Sequence, residues 1–323
     1  MKIAHFALAC TLSVTASQAC AQLADYPNRP VRVVVGFAPG GAADTVARIM
    51  SDAFGKALKQ PVVVENKPGA GSSIAADYVV KAAPDGYTVL IASPSSISIN
   101  PALNPGLSYT AKDLKAVTKI TTSPLVLAVS SKTEIKTVAD LIKAAKANPD
   151  GLNYASSGNG SAPHLGAALF TLLTDTKMTH VPYRGGAPAI QSVMAGDTDL
   201  SFGTAPSVLS QVNSGKLRAI AVSTSEKSAL VPNLPGMREA GLPDYNLEFW
   251  YGIFVPQNTP VPVVKKLYEA ATYAMAQPEV KAALAREGTE TSMSKSPEDF
   301  DKFLVEEDKF WVKLAKSASI AVK

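Results

Sequence analysis

The feature that most constrains the fold is one unit used repeatedly: a short β-branched run, a turn of small residues, then a segment apolar at helical spacing. Val31–Val35 leads through Gly36-Phe37-Ala38-Pro39-Gly40-Gly41 into a helical pattern over residues 44–60, which Pro61 breaks. Val62-Val63-Val64 leads through Gly69-Ala70-Gly71-Ser72 into a second pattern ending near Ala82, and residues 87–91 form the next strand. Asn153–Ser156 is followed by Ser157-Gly158-Asn159-Gly160-Ser161 and a helical segment carrying His164. Residues 179–183 precede Arg184-Gly185-Gly186 and another helical pattern. Parallel strands need a crossover between them, usually a helix, so this alternation predicts mainly parallel sheets with helices on both faces.

A new block begins near Pro124 with an apolar strand over residues 125–129. Thr137-Val138-Ala139-Asp140 reads as a capping box opening a helix that stops at Asn148-Pro149. Further strands are expected at residues 199–203, at Leu217–Val222 and at residues 249–255, with a polar, Pro- and Gly-rich linker over residues 226–248. Two helices close the chain, over residues 263–276 and from the capping box Ser296-Pro297-Glu298-Asp299. Glu306-Glu307-Asp308-Lys309 reads as a solvated helix face. At 323 residues the chain has the length of two domains with sizeable cores. With 46% hydrophobic and 18% charged residues it is too apolar for intrinsic disorder.

Residues 1–21 follow a separate logic. Lys2 is their only charge, residues 3–14 are mostly apolar, and Ala19-Cys20-Ala21 is a small-residue cleavage signal. This is the pattern of a secretory signal peptide cut after Ala21, which places the mature protein in the periplasm. A lipoprotein reading through Cys20 is weakened by Ser17, which stands where a lipobox has Leu. Both cysteines, Cys10 and Cys20, leave with the leader, as does one histidine, His5. The mature chain then has no thiol for a disulfide, a nucleophile or a metal cluster, and only His164 and His180. No metal or other cofactor is expected. Loss of Lys2 reduces the net charge from +4 to +3, and no cluster of basic and aromatic residues marks a nucleic-acid surface.

The glycine turns carry the chemistry. Glycine lets a backbone approach a ligand closely, and a helix start presents up to four N–H groups with no partner in the helix. The helix dipole adds roughly half a positive charge there, so such a turn suits an anion. Nucleotide motifs fail on spacing. Gly36 and Gly41 match a P-loop, but Ala42 occupies the position of its lysine. Gly158-x-Gly160 lacks the third glycine of a dinucleotide fingerprint, and no G-x-S-x-G elbow is present.

Among single side chains, His164 lies one turn into its helix, either donating to a ligand carboxylate or bracing the Ser157 loop. Arg184 either neutralises an anion or makes a surface ion pair. Asp44 either binds an amine or hydroxyl of a ligand or caps its own helix. His180, in a strand, reads as structural. A secreted hydrolase built on Ser161 or Ser157 with His164 is the enzymatic alternative, but the pair lacks an acid partner and an oxyanion loop. A ligand-sensing partner of a membrane signalling protein is a non-enzymatic one.

Taken in order, these segments resemble the extracytoplasmic solute receptors of the tripartite tricarboxylate transporter family, the Bug receptors. The resemblance runs through Tyr26-Pro27-Asn28-Arg29-Pro30, Phe37-Ala38-Pro39-Gly40-Gly41-Ala42-Ala43-Asp44 and Glu65-Asn66-Lys67-Pro68-Gly69-Ala70-Gly71. It continues through Asn153-Tyr154-Ala155-Ser156-Ser157-Gly158, His164-Leu165, Val181-Pro182-Tyr183-Arg184-Gly185-Gly186 and Gly215-Lys216-Leu217-Arg218-Ala219-Ile220-Ala221-Val222. It implies a two-domain α/β periplasmic-binding-protein fold of type II-like "Venus flytrap" form, closing on a small organic carboxylate. The domains would be residues 22–123 plus 249–323, and 124–248. The implied ligand-binding residues are Phe37, Ala38, Gly40, Gly41, Ala42, Asp44 and Ser93 from the first domain. From the second they are Ser157, Gly158, Asn159, Ser161, His164, Arg184 and Thr204. Such a receptor is not an enzyme, acts as a monomer and delivers its ligand to membrane transporter subunits of the tripartite tricarboxylate type. The family often has Asp or Asn after the strand at 199–203, where Thr204-Ala205-Pro206-Ser207 stands here. That leaves no charge for an ammonium group and favours a carboxylate without one.

Overall fold

In the computed structural model, which describes residues 25–317, the chain opens with β1 (Val31–Val35), α1 (Ala42–Leu58), β2 (Val62–Asn66), α2 (Ser73–Val80) and β3 (Thr88–Ala92). The leader expected over residues 1–21 lies outside the described residues. β1 pairs in parallel with β2 and with β3, setting Val33 beside both Val64 and Val89. Its near-continuous burial is what a strand covered on both faces requires. α1 buries Val46, Met50, Phe54 and Leu58, a stripe at helical spacing, and ends where Lys59 turns left-handed.

A short α3 (Asn100–Leu103) precedes β4 (Leu114–Ser130) and α4 (Val138–Ala147), the helix opened by the Thr137 capping box. The alternation then resumes with β5 (Asn153–Ser156), α5 (Ala162–Thr174), β6 (Thr179–Pro182), α6 (Gly186–Ala195), β7 (Leu200–Thr204), α7 (Ala205–Asn213) and β8 (Leu217–Val222). β5 pairs in parallel with β6 and β7. The chain returns through β9 (Glu248–Pro256), α8 (Val261–Ala276), α9 (Pro278–Arg286), β10 (Glu290–Thr291) and α10 (Pro297–Ser317).

The parallel units predicted from the sequence are therefore present, and antiparallel strands close each of them. β9 runs antiparallel to β3 and to β4. From Leu114 to Pro124, β4 pairs with β9; from Leu125 onward it pairs with β7 and β8. One strand thus serves both sheets and changes partners at Pro124, which has no N–H to donate to a ladder. The sequence suggested a fresh block at Pro124, whereas the strand continues through it. Ser223 staples this crossing: its buried hydroxyl accepts from the Leu125 N–H (2.7 Å) and donates to the Leu247 carbonyl (2.6 Å).

Three other expectations change. The linker over residues 226–248 is anchored to the core: Tyr245 and Met237 are fully buried, and the Tyr245 hydroxyl donates to the Gly166 carbonyl. Glu307 is not simply solvated, because its Oε2 accepts from the indole N–H groups of both Trp250 and Trp311, each at 2.7 Å. α9 and β10 stand between the two closing helices, and β10 adds itself to β4.

Candidate functional site

The glycine turns open α1, α2, α5 and α6, and the turn after β7 opens α7. None of the residues at these starts (Gly41, Ser72, Ser161, Gly185, Thr204) caps its helix with a side-chain hydrogen bond, in contrast to Thr137 of α4. The first-turn N–H groups are left to other partners. Four of these starts meet around one small cavity: Ala42 and Ala43 of α1, Ala162 and Pro163 of α5, Gly186 of α6, and Thr204 with Ser207 at α7. Phe37, Ser95, Ser157, Phe249 and Tyr251 complete its wall. No charged side chain lines it, so its positive potential comes from helix ends. The cavity is tight, about 10 Å³, about what a single water molecule needs.

A second, larger compartment of about 230 Å³ adjoins it, with Phe37 and Ser157 as shared walls. Residues 69–73, Asn100 and Asn104 line it from the first sheet's side; residues 157–159 and 182–184 line it from the second's. The two sides are in close contact. At Gly71 (φ +59°) a methyl group would run into the Asn159 carbonyl and lie 2.7 Å from Asn100 Nδ2. At Gly185 (φ +138°) it would lie 3.0 Å from the Ala38 nitrogen. Glycine is required at both positions for the two sides to meet.

Beneath the Ser157 loop lies an aromatic stack, buried at Tyr154 and His164 and half-buried at His180. The rings of His164 and His180 are 3.8 Å apart and nearly parallel, with Tyr154 against His180 at 4.9 Å. His164 Nδ1 accepts from the Gly160 N–H (3.1 Å). His180 Nε2 and the Ser156 hydroxyl are 2.6 Å apart, and Ser156 Oγ also accepts from the Gly158 N–H. Burial, with the neighbouring His180, lowers the pKa of His164 to about 3. Burial lowers that of His180 to about 4. Both imidazoles are neutral at physiological pH, and for His164 the ring nitrogen that accepts the Gly160 N–H must carry no proton.

The Phe37 loop is held by charge instead. Asp44, 3% exposed, accepts from the Gly40 N–H, from Arg48 Nε and from Asn66 Nδ2, each at 2.9 Å. Burial alone would raise its pKa, but the bonds from Arg48, Gly40 and Asn66 outweigh that and hold it below the usual carboxylate range. Asn66 Nδ2 also donates to the Phe37 carbonyl.

The residues expected at the site therefore separate. Phe37, Ala42, Ser157 and Thr204 line the cavity; Gly158, Asn159 and Arg184 line the adjoining compartment. Asp44 is off the walls, its oxygens taken up by Gly40 of the loop, Arg48 of α1 and Asn66 of β2. His164 Nδ1 accepts from the Gly160 N–H, the geometry of its loop-bracing reading. Ser93 is buried off the walls, and Ala38 packs against Gly185. Gly41 and Ser161 serve as helix starts, and Ser161 Oγ has no partner among the described residues, His164 included. That geometry is not a nucleophile–base pair. Arg184 forms no ion pair among the described residues. Sequence reasoning missed Ser95, Phe249 and Tyr251; alternation on β9 places the last two on one face, the signal that could have found them.

Among the described residues no group of three or more His, Cys, Asp or Glu is placed to hold a metal ion.

An α/β frame with helix starts converging between two linked sheets defines a periplasmic binding protein. The chain aligns with the BugD periplasmic binding protein at a TM-score of 0.86 and 30% identity, covering 92% of this chain and 99% of that one. The profile described as "Tripartite tricarboxylate transporter family receptor" matches residues 46–320, and the chain belongs to this TctC family of non-enzymatic solute-binding receptors. MatC from Rhodopseudomonas palustris, solved with bound malate, is 32% identical with a TM-score of 0.84, over 90% of this chain and 99% of that one. R. palustris Rpa4515, solved with adipate, is 32% identical with a TM-score of 0.88, over 92% and 99%.

Proposed function

We propose that this receptor binds a small organic carboxylate between its two sheets and delivers it to membrane subunits of a tripartite tricarboxylate-type transporter. The observation that carries the reading is the meeting of four side-chain-uncapped helix starts at one cavity without a charged side chain. Such a wall neutralises a carboxylate with backbone N–H groups, and the seryl and threonyl hydroxyls add donors without charge. The carboxylates held by MatC and Rpa4515 are consistent with it. Residues 22–123 with 249–323 form one lobe and 124–248 the other; β4 and β9 are the hinge, and the lobes close as a monomer. The leader over residues 1–21 directs the chain to the periplasm.

One helix end supplies at most about 1 kcal/mol, whereas micromolar binding takes about 8 kcal/mol. Several charge-assisted hydrogen bonds of about 1.5–3 kcal/mol each, in a cleft shut to water, close the difference. The test is a thermal-shift screen of the mature protein against carboxylates, amino acids, sugars and sulfonates. A carboxylate at 100 times its Kd adds about 2.7 kcal/mol of stability and raises Tm by several degrees. A shift by another class with none from any carboxylate overturns the assignment.

A further inference from the structure

We infer that Asn100 is a positioning residue for closure: it holds a left-handed turn, residues 69–72, in the shape that seats on residues 158–160 across the cleft. This rests on the closing-lobe reading above. The turn is unusual in its backbone. Gly69, Ala70, Gly71 and Ser72 have φ of +141°, +46°, +59° and +77° in succession. Glycine adopts such angles freely, whereas Ala70 and Ser72 carry a Cβ that crowds the neighbouring backbone there. A strained backbone persists only where its surroundings fix it.

Asn100 supplies that fixing. It is 1% exposed at the start of α3, and its Nδ2 donates to the Ala70 carbonyl (3.1 Å), the Gly71 carbonyl (3.1 Å) and Ser73 Oγ (3.0 Å). Two of these partners can only accept, so the amide nitrogen must face the turn and Oδ1 must face away from it. Oδ1 has no donor among the described residues and lies against Gly160. A methyl group at Gly160 (φ +68°) would run into it, and one at Gly158 would lie 3.4 Å from the Gly71 nitrogen. No backbone hydrogen bond joins residues 69–73 to 158–160 among the described residues, so the two sides meet by the fit of one backbone on the other. Such a fit leaves no side chain to absorb a displaced turn. Residues 158–160 are themselves held by Ser156 and His164, so the turn is the part that must be placed.

The test places nitroxide labels at Lys56→Cys on α1 and Lys146→Cys on α4, both exposed and one on each side of the cleft, in a chain of residues 22–323, which has no other cysteine. Pulsed electron paramagnetic resonance reads the distance between them with malate, succinate or adipate in excess. Stopped-flow tryptophan fluorescence reads the release of whichever of these closes the wild type. In the wild type at least one of the three acids shifts the population to a shorter distance. Asn100→Ala cuts that closed fraction by about half or more and speeds release about tenfold, with association within about threefold, because the seat forms after encounter. Ala70→Gly added to Asn100→Ala recovers part of the closed fraction, since glycine keeps the left-handed turn without the amide. Asn100 also lines the 230 Å³ compartment, and this recovery separates its roles: an amide lost as a ligand contact is not restored by Ala70→Gly. Gly160→Ala covers the case in which Asn100→Ala does not fold. The atoms nearest its methyl belong to Asn100 and Ile99, both on the first side, so it obstructs the meeting of the sides and must lower the closed fraction too. An unchanged closed fraction in Asn100→Ala or in Gly160→Ala, or no recovery with Ala70→Gly, overturns the inference and leaves the closing-lobe reading standing. A wild type that none of the three acids closes removes the closing-lobe reading, and the inference falls with it.

Discussion

The two loops that face each other across the cleft share a local plan and are anchored by opposite means. Each follows a parallel strand and leads into a helix without a side-chain cap. The Phe37 loop is tied by a carboxylate with three donors, one of them Arg48, whose side chain is 54% exposed. The Ser157 loop is tied by two neutral, stacked imidazoles. The first anchor depends on a charge being present and the second on a charge being absent. Acid separates them, since it is the neutral anchor that protons attack first.

The largest predicted effect is that pH response. The folded pKa values of His164 and His180, about 3 and about 4, lie below the ordinary 6.5 of the unfolded chain. Their stabilisation is complete above pH 6.5 and is lost as pH falls below it, because the unfolded chain binds the extra protons. At about 1.4 kcal/mol per pH unit for each group, the pair costs up to about 4 kcal/mol between pH 7 and pH 5. Urea unfolding across that range measures it, and His180→Gln should flatten the slope by about half. A slope unchanged by His180→Gln would break the contrast, since Asp44 titrates below this window.

Next comes His164→Ala at pH 7. It removes the stack and leaves the buried Gly160 N–H without an acceptor, a loss of about 2–3 kcal/mol in denaturant unfolding. Ligand affinity should fall as well, because the Ser157 loop loses its support. Stability within about 1 kcal/mol of wild type and unaltered affinity would together show that the loop holds itself.

The smallest effects fall on the charged anchor. Asp44→Asn should cost about 1–2 kcal/mol, since three donors lose an ionised acceptor. Arg48→Gln should cost less than about 1 kcal/mol, the Arg48 side chain being half solvated and screened by salt. A measured order reversed between these two would place the anchor in the ion pair and not in the bonds from Gly40 and Asn66.

Local chemistry made much of this legible in the sequence. Val31–Val35, Asn153–Ser156 and Leu217–Val222 declare themselves by β-branched runs, and Thr137 with Asp140 declares the start of α4. Three of the glycine turns, those before α1, α5 and α6, mark helix starts that meet at the cavity. Partnership over distance was not legible. Asp44 meets Asn66 and Ser156 meets His180 only once parallel strands are laid side by side, so the neighbours of Asp44 and His164 were open alternatives. The passage of β4 through Pro124 was hidden for a similar reason: proline reads as a stop until a place where no N–H is needed is known. Tyr245 and Glu307 sit in polar stretches whose burial is decided by Gly166, Trp250 and Trp311 elsewhere.

The pairing of Pro124 with Glu248 has a consequence for how this molecule can be rebuilt. The chain leaves the first sheet and re-enters it at one register pair, so the ends of the intervening segment stand a single strand spacing apart, about 4.8 Å. In topological terms residues 125–247 are a cassette whose two leads abut. Exchanging such a cassette with that of a relative asks no stretch of the host sheet, provided a serine remains at Ser223 to close the seam. The same geometry lets one half of the cleft diversify while the half that carries both chain ends stays as it is.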